Sequence, residues 1–384
     1  MKAFTEPLLS LAGFEEMTKT AEKSSGLISV TGCIDAQKSQ MIYAFGGHRK
    51  NKLIVTFGEQ KAKELYDEYS FFDKEVVYYP SKDVLFYQSD IRGNLLTAER
   101  IRALKAIREQ ERVTLVTTFD ALMNTMAPIE KMWENVLTLE QGQLLDLKEI
   151  QAALIRMGYE KEYQVQTMGQ FSVRGGILDV FPLTEENPIR IELWGDEIDT
   201  IRYFDCESQK SIENIDRVSI YPAAELVLSD EEKAGGIDKL KAEAKRVSDK
   251  LRKQMKTEEA HRVTVMADEL TEEWGELSMY AGMDAFLSYF FDERVGLLDY
   301  FKPSDSLIFF DELTRCTEQG KLTETEFSES MKQRLAMGYI LPGQMNGLFT
   351  EKEIVAKLEK YSCIALGALD NKANGLHQLG SYGI

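Results

Sequence analysis

Short apolar runs alternate with amphipathic stretches over the first 130 residues of the chain. Four of these runs have the length and the β-branched or aromatic content of buried strands: residues 27–30, 53–57, 76–79 and 113–116. Between the last two runs, a predicted helix carries an apolar side made of Leu96, Ile101, Leu104 and Ile107. Strands that alternate with helices in this way predict a parallel sheet covered by helices on both faces.

From about Trp133 the apolar pattern changes to a period of two. Residues 171–182 and 189–194 alternate apolar and polar side chains, and Gly195-Asp196 follows as a two-residue turn signal. Because glycine readily adopts the positive φ that a type II′ turn needs at its first central position, this predicts a hairpin with residues 197–204 as its second strand. The middle region is therefore predicted to be a small antiparallel sheet with one or two helices.

Beyond Pro222 the helical period returns within a run dense in charged residues. Apolar residues recur at steps of three and four: Ile237, Leu240, Ala244, Val247, Leu251 and Met255. This predicts one amphipathic helix lying on a sheet; a partner-binding coiled coil is the alternative, although sustained heptads are lacking. The end of the chain after Asn371, which contains three glycines, is expected to be a frayed linker.

Two later runs, residues 306–310 and 361–366, resume the parallel α/β pattern. The middle region is thus predicted to be an insertion into one domain. We assign residues 1–130 and 224–384 to the two parts of an α/β domain, the second with the long amphipathic helix, and residues 131–223 to an inserted α+β domain.

The stretch VTGCIDAQKS (residues 30–39) lies between a predicted strand and a predicted helix, where a phosphate-binding loop (P-loop) reads GxxxxGK[ST]. Its second glycine, which lets the backbone approach the phosphates without a Cβ, is replaced by Gln37. Asp311-Glu312, after a later strand, resembles the acidic pair that helps to hold Mg²⁺ in P-loop enzymes. We interpret these residues as a degenerate nucleotide site without a cofactor, and a live ATP site is the alternative. The residues concerned are Gly32, Gln37, Lys38, Ser39, Asp311 and Glu312.

Composition narrows the classes of partner. The formal net charge of −18 disfavours binding to nucleic-acid phosphates and favours a basic protein surface, so a DNA-binding module would need a local basic groove.

The four cysteines are scattered, without a C-x-x-C pair or nearby histidines, which argues against a disulfide framework or a metal site. No apolar run approaches the roughly 18 residues of a membrane span and the first residues lack an apolar signal core, so we expect a cytoplasmic protein that does not contact a membrane.

Several segments together closely resemble one protein family. FSVRGGILDVFP (171–182) and IRIELWGDEI (189–198) are similar to the motif shared by the bacterial UvrB excision-repair proteins and the transcription-repair coupling factors (Mfd), and further matches at 296–301, 311–312 and 334–342 extend the resemblance over nearly the whole chain. UvrB proteins keep an intact P-loop, an upstream glutamine for adenine and an inserted aromatic hairpin. Here Gln37 interrupts the loop, residues 11–16 lack that glutamine, and residues 79–93 leave no room for the hairpin. The resemblance is therefore to the N-terminal, UvrB-like module of the coupling factors.

That resemblance implies a RecA-like parallel-sheet domain with a degenerate P-loop, interrupted by a domain that binds the damage-recognition protein UvrA. The implied function is non-enzymatic recruitment, which links stalled RNA polymerase to nucleotide excision repair; a UvrB-like ATPase or helicase fragment is the alternative. In the family, RNA polymerase and DNA are contacted by other parts of a longer protein, an ATP-dependent DNA translocase, and a C-terminal domain masks the UvrA-binding face. We therefore expect this chain to be a fragment.

The candidate interaction face follows from strand alternation. Arg190, Glu192 and Trp194 are predicted to share one face of their strand, with the intervening apolar residues in the core. The same alternation, followed through Gly175 as one continuous strand, places Arg174 on the polar face of the neighbouring segment. An exposed tryptophan flanked by arginines is typical of a protein–protein hot spot. The alternative is that Trp194 lies flat under an arginine stem while Arg190 pairs with Glu192. The resemblance implies that Arg174 and Arg190 bind UvrA, at positions where the family uses arginines, and that Trp194 occupies an aromatic position.

Overall fold

The computed structural model describes residues 2–9, 11, 13–45, 49–82, 94–276, 283–369 and 375–383. Its α-helices are α1 (Lys2–Leu9), α2 (Phe14–Lys23), α3 (Asp35–Phe45), α4 (Glu59–Tyr69), α5 (Asn94–Glu109), α6 (Phe119–Met123), α7 (Ile129–Glu134), α8 (Leu147–Arg156), α9 (Asp230–Lys253), α10 (Thr257–Glu276), α11 (Leu287–Phe290), α12 (Leu313–Ala336) and α13 (Glu351–Leu358). Its strands are β1 (Gly26–Thr31), β2 (Asn51–Thr56), β3 (Val77–Tyr79), β4 (Val113–Thr118), β5 (Leu137–Glu140), β6 (Glu160–Lys161), β7 (Gln170–Arg174), β8 (Ile177–Val180), β9 (Ile189–Trp194), β10 (Glu197–Phe204), β11 (Ser211–Ile215), β12 (Arg217–Ile220), β13 (Ser306–Asp311), β14 (Ser362–Gly367) and β15 (Gln378–Gly383).

The largest sheet is parallel throughout, with the strand order β15-β1-β14-β13-β2-β4-β3. Every residue of β4, β13 and β14 is buried, because helices cover both faces. Alternate residues of β13 enter two different cores: Ile308 and Phe310 face one, Leu307 and Phe309 the other. The predicted RecA-like parallel-sheet domain is confirmed.

The C-terminal segment corrects one expectation. Residues 378–383 form β15, which pairs in parallel with β1, and Leu379 and Tyr382 pack against the buried core. At Gly26 (φ 136°) an added Cβ would lie 2.8 Å from the carbonyl oxygen of His377, so only glycine allows the two strands to approach there. The expectation of a frayed linker is wrong for this strand, because β15 forms hydrogen-bonded pairs with β1 at the edge of the parallel sheet. Residues 370–374 lie outside the described residues.

The inserted region enters and leaves the larger domain at one place, since β5 and β12 pair antiparallel. Between them lies a six-stranded sheet in the order β11-β10-β9-β8-β7-β6, antiparallel except for the short β6, which runs parallel to β7. The apolar face of this sheet packs with α8 through Leu154. The predicted insertion of a small α+β domain is confirmed.

Two tight turns set the register of this sheet. Gly195 has φ 65° while Asp196 has negative φ, as the predicted type II′ turn between β9 and β10 requires. A second such turn lies at Gly175 (φ 62°) and Gly176, between β7 and β8. Following residues 171–182 as one continuous strand was therefore wrong, because Gly175 reverses the chain.

Within the part of the chain that the structure describes, the long amphipathic helix α9 packs on a helix and not on a sheet. Residues 254–256 connect it to α10, and Leu240, Ala244 and Leu251 belong to one core with Ala260 and Val263 of α10. The apolar stripe identified the buried face correctly but not what covers it. Residue 255, expected on that stripe, follows the end of the helix.

A buried ion cluster fixes the segment that leads from the inserted region back into the larger domain. Arg100 is fully buried and donates from Nε and Nη2 to the Glu225 carboxylate at 2.7 and 3.0 Å, and from Nη1 to the carbonyl of Pro80 at 2.6 Å. Lys82 lies 2.9 Å from the same carboxylate and also pairs with Asp284. The expected absence of a long hairpin after Tyr79 concerns residues 83–93, which lie outside the described residues.

None of the helices in the described ranges is long and apolar enough to cross a membrane.

Candidate functional site

The outer face of the six-stranded sheet gathers the polar side chains of the inserted region. Ser172, Asp179 and Arg190 lie directly opposite one another on β7, β8 and β9. Residues paired in this way share one face of a sheet, and the apolar residues between them point to the opposite face. We call the surface formed by Arg174, Asp179, Arg190, Glu192 and Trp194 the outer face.

Asp179 lies at the centre of the outer face with 1% of its surface exposed. Its carboxylate accepts hydrogen bonds from Nε and Nη2 of Arg190, at 2.7 and 2.8 Å, and from Nη2 of Arg174 at 2.7 Å. The hydrogen bonds that Arg190 donates to Asp179 raise the pKa of Arg190 above its usual value. One buried carboxylate therefore orients two guanidinium groups, and the three side chains carry a net charge of +1.

Arg190 is held on two further sides. Its guanidinium carbon lies 4.3 Å from the ring centroid of Phe204, and its Nη2 donates to Oε1 of Gln209 at 2.8 Å. Gln209 has a left-handed backbone conformation (φ 58°), which is uncommon outside glycine. In the described part of the chain, Nη1 of Arg190 donates no hydrogen bond, and neither do Nε and Nη1 of Arg174. Both arginines therefore retain N–H donors for a partner.

The alternative pairing of Arg190 with Glu192 is wrong. Glu192 instead accepts from Arg202 of β10, at 2.9 Å from Nη1 and also from Nη2, and this bond lowers the pKa of Glu192. The reason is geometric: Asp179 faces Arg190 directly across the strands, whereas Glu192 lies two residues along the same strand, about 6.5 Å away.

Trp194 ends β9 with 85% of its surface exposed, so it does not lie flat under an arginine stem. Trp194 also lines an open groove of about 590 Å³, whose charged residues are Glu140, Glu197, Asp199, Asp216 and Arg217. The exposed indole thus borders a groove with four carboxylates and one guanidinium group.

Asp179 is the residue that sequence reasoning missed. Its significance depends on the turn at Gly175, which brings β8 back alongside β7 and sets Asp179 between the two arginines. Two adjacent glycines within an alternating segment were the available signal for that turn.

The predicted nucleotide-site residues are brought together in the larger domain. Lys38, with 2% of its side chain exposed, lies 2.9 Å from Asp35, 2.5 Å from Asp311 and 3.0 Å from Glu312. Burial opposes the charged form of Lys38, but its hydrogen bonds to these carboxylates outweigh burial and raise its pKa. Asp311 also accepts from the Thr56 hydroxyl at 2.8 Å. The ammonium group is thus surrounded by carboxylates of the chain itself.

The loop that would hold a phosphate uses its own N–H groups. The N–H of Cys33 donates to Gly367 O at 3.1 Å, and the N–H of Ile34 donates to the Gln37 side-chain oxygen at 3.3 Å. Gly32 keeps the positive φ (83°) of a tight loop. Asp35 begins α3, so a carboxylate lies where the positive end of a helix dipole would favour a phosphate.

Ser39 does not face the acidic pair. Its hydroxyl lies 3.2 Å from Oε2 of Glu68 on α4, so the structure does not direct it to a metal ion beside Asp311. Among the residues with described positions, no group of three or more His, Cys, Asp or Glu side chains is arranged to hold a metal ion.

The comparisons with known proteins match both parts of the chain. Residues 137–226 match the family model of the UvrB interaction domain. Similar proteins include the transcription-repair-coupling factors of Bacillus subtilis (strain 168), 29% identical over 80% of this chain and 26% of that protein, and Staphylococcus haemolyticus (strain JCSC1435), 28% identical over 83% and 27%. The chain thus spans about a quarter of the length of these curated relatives. The resemblance to the UvrB-like module of the transcription-repair coupling factors is confirmed.

Proposed function

We propose that this chain is a non-catalytic recruitment module of a transcription-repair coupling factor, and that it binds UvrA through the outer face. The observation that carries the proposal is the pair of arginines fixed on buried Asp179 beside the exposed Trp194, within the region that matches the UvrB interaction domain. We take residues 131–223 as the UvrA-binding domain.

The geometry of the outer face supports a protein partner. Arginine and tryptophan are the residues that most often dominate binding energy at interfaces, and prior orientation of their side chains reduces the entropy lost on binding. The guanidinium N–H groups that do not bond to Asp179 need acceptors, so the UvrA surface should present carboxylates to Arg174 and Arg190. RNA polymerase would be bound, and DNA translocated, by other parts of a full-length coupling factor, and its C-terminal domain would mask the outer face.

The nucleotide site supports a non-catalytic role. Phosphate would have to displace carboxylates that already bind Lys38, approach the carboxylate of Asp35, and release the Ile34 N–H from Gln37. Each step adds an electrostatic or hydrogen-bonding cost to nucleotide binding. The alternative, a UvrB-like nucleotide-binding fragment, predicts saturable ATP binding that depends on Lys38.

The test is a titration of UvrA with the intact chain and with Trp194→Ala. Because Trp194 is exposed, this change should leave folding unaltered while weakening UvrA binding by about 2 kcal/mol, or roughly 30-fold. The double variant Arg174→Ala/Arg190→Ala should weaken UvrA binding further. The thermal unfolding of this variant must also be measured, because Asp179 loses both of its ion-pair partners. The matched control is Lys148→Ala/Arg156→Ala on α8, which removes two exposed cations from the same domain away from the outer face.

Two results would contradict the proposal. Equal UvrA affinity for the intact chain and Trp194→Ala would exclude the outer face as the binding surface. Thermal stabilisation by ATP that is lost in Lys38→Ala would favour the nucleotide-binding alternative.

A further inference from the structure

The charge of the chain is strongly segregated. The 18 residues from 239 to 256, at the tip of the α9–α10 hairpin, contain eight Lys or Arg and two Asp or Glu, a net charge of +6. The rest of the chain then carries 38 basic and 62 acidic residues, a net charge of −24. The total of −18 therefore conceals a compact cationic region, which we call the basic tip.

The cations of the basic tip are exposed and mostly unpaired. In the described part of the chain only three of them form ion pairs, namely Lys239 with Asp292, Arg246 with Glu243 and Arg252 with Asp249, the last two at 3.9 and 4.0 Å. The other five form none there. They are Lys241, Lys245, Lys250, Lys253 and Lys256, all exposed.

Helix packing does not require this pattern. The buried face of α9 is formed by Leu240, Ala244, Ser248 and Leu251, and the hydroxyl of Ser248 donates to Ala260 O at 3.1 Å. The basic residues lie on the remaining surface along about 21 Å of helix. That surface would be equally soluble with acidic residues, as on the remainder of this acidic chain.

The helix dipole accounts for only part of the basic tip. Cations in the last turn of α9, Lys250, Arg252 and Lys253, are favoured by the negative end of the dipole. Lys241 and Lys245 lie two to three turns before the helix end, beyond the reach of this effect. They are also four residues apart, a spacing at which like charges destabilise a helix. A helix that retains this repulsion within an acidic chain points to an anionic partner.

We propose that the basic tip binds the phosphate backbone of double-stranded nucleic acid, without sequence preference. Six of its eight cations are lysines, which protein–protein interfaces generally disfavour but which serve phosphate contacts well. No aromatic side chain lies within residues 239–256, and the one exposed large apolar residue described there is Met255. A surface of exposed point charges without an aromatic anchor suits a regular polyanion better than a specific protein surface. The strongly negative remainder of the chain repels the duplex and so restricts contact to the basic tip.

The test is fluorescence anisotropy with a labelled duplex of about 25 base pairs and random sequence, titrated between about 50 and 200 mM salt. The hairpin variant carries four substitutions: Lys241→Gln, Lys245→Gln, Lys250→Gln and Lys253→Gln. The dispersed control carries the same number on other exposed surfaces without described ion pairs: Lys148→Gln, Lys210→Gln, Lys332→Gln and Lys352→Gln. Both variants change the net charge equally, so only the position of the lost charges differs.

The intact chain should bind the duplex with a steep salt dependence. The hairpin variant should bind at least 10-fold more weakly at the lowest salt, with a slope of log K against log salt shallower by about 3 to 4, because each phosphate contact contributes about 0.9. The dispersed control should keep most of the affinity and nearly the same slope. Circular dichroism of α-helix content checks that both variants fold.

Three outcomes would overturn the proposal. The first is that the intact chain does not bind the duplex at the lowest salt. The second is that the hairpin variant and the dispersed control lose duplex affinity equally. The third is that the hairpin variant keeps duplex binding but loses UvrA binding. Salt-sensitive self-association in analytical ultracentrifugation that only the hairpin variant loses, without duplex binding, would assign the basic tip to a second copy of the chain.

Discussion

Replacing Asp179 with asparagine would test whether one buried carboxylate organises the outer face. The substitution keeps the size of the side chain but removes its charge and exchanges one acceptor for an NH₂ donor. Three guanidinium hydrogen bonds, two from Arg190 and one from Arg174, then lose their charged acceptor.

The loss of stability can be bounded from exposure. Breaking a fully buried ion pair costs about 3–5 kcal/mol, because the remaining charge is left uncompensated. Here 13% of the Arg190 side chain and 35% of the Arg174 side chain are exposed, so both can turn partly to solvent. We therefore expect Asp179→Asn to lower the free energy of unfolding by about 2–3 kcal/mol.

The effect on UvrA binding follows from lost orientation. Fixing one long side chain at an interface costs about 0.5–1.5 kcal/mol, and Asp179 fixes two. The variant should therefore bind UvrA about 1–3 kcal/mol more weakly, roughly 5- to 150-fold, with Arg174 and Arg190 both still present.

Urea unfolding and calorimetric titration of UvrA measure the two effects separately. Asp196→Asn is the matched control, since it removes one carboxylate from the exposed turn between β9 and β10. Tighter UvrA binding by Asp179→Asn would refute the reasoning, because Asp179 would then compete with the partner for the arginines. Unchanged unfolding would show that the three hydrogen bonds contribute nothing net.

Two buried ion clusters give further predictions. Lys38→Met should destabilise the chain by about 3–5 kcal/mol in urea unfolding, because Asp311 loses its buried countercharge, and Asp311→Asn in the same chain should recover part of the loss. Glu225→Gln should lower the free energy of unfolding by a similar amount, because Arg100 and Lys82 lose their buried countercharge. Although burial opposes its charged form, those two cations lower the pKa of Glu225 below 4.5 in the folded state, so its contribution is present above pH 4.5 and is lost as the pH falls below it. Melting temperatures between pH 7 and 3 should therefore fall less in Glu225→Gln than in the unmodified chain.

The features that sequence predicted are those encoded locally. Alternating strands and helices gave the parallel sheet, the switch to a period of two gave the insertion, and Gly195-Asp196 gave a turn of the expected type. The P-loop pattern identified Lys38, and the acidic pair after a later strand identified Asp311. The fold brings the two into contact from positions 273 residues apart. These signals depend on a few neighbouring residues and on general rules of chain connection.

The features that sequence missed depend on what each element meets in space. An apolar stripe shows that α9 is buried on one side, but only the fold shows that α10 covers it. The glycines near the C-terminus suggested mobility, whereas residues 378–383 pair with β1, a contact that the local sequence does not show. Asp179 gains its role from strand register, and the basic tip was hidden by averaging charge over the whole chain.

The outer face and the basic tip should act independently. Asp179 and its arginines lie on the sheet that packs with α8, whereas the lysines of the basic tip project from α9. Among the described residues, the core of α9 shares none with that sheet. Substitutions without shared partners usually add within about 0.3–0.5 kcal/mol. A chain that combines Asp179→Asn with the hairpin variant should therefore show the UvrA affinity of the first and the duplex salt slope of the second. A larger deviation in UvrA affinity would mean that UvrA contacts both surfaces, since the described residues of the two elements belong to separate hydrophobic cores.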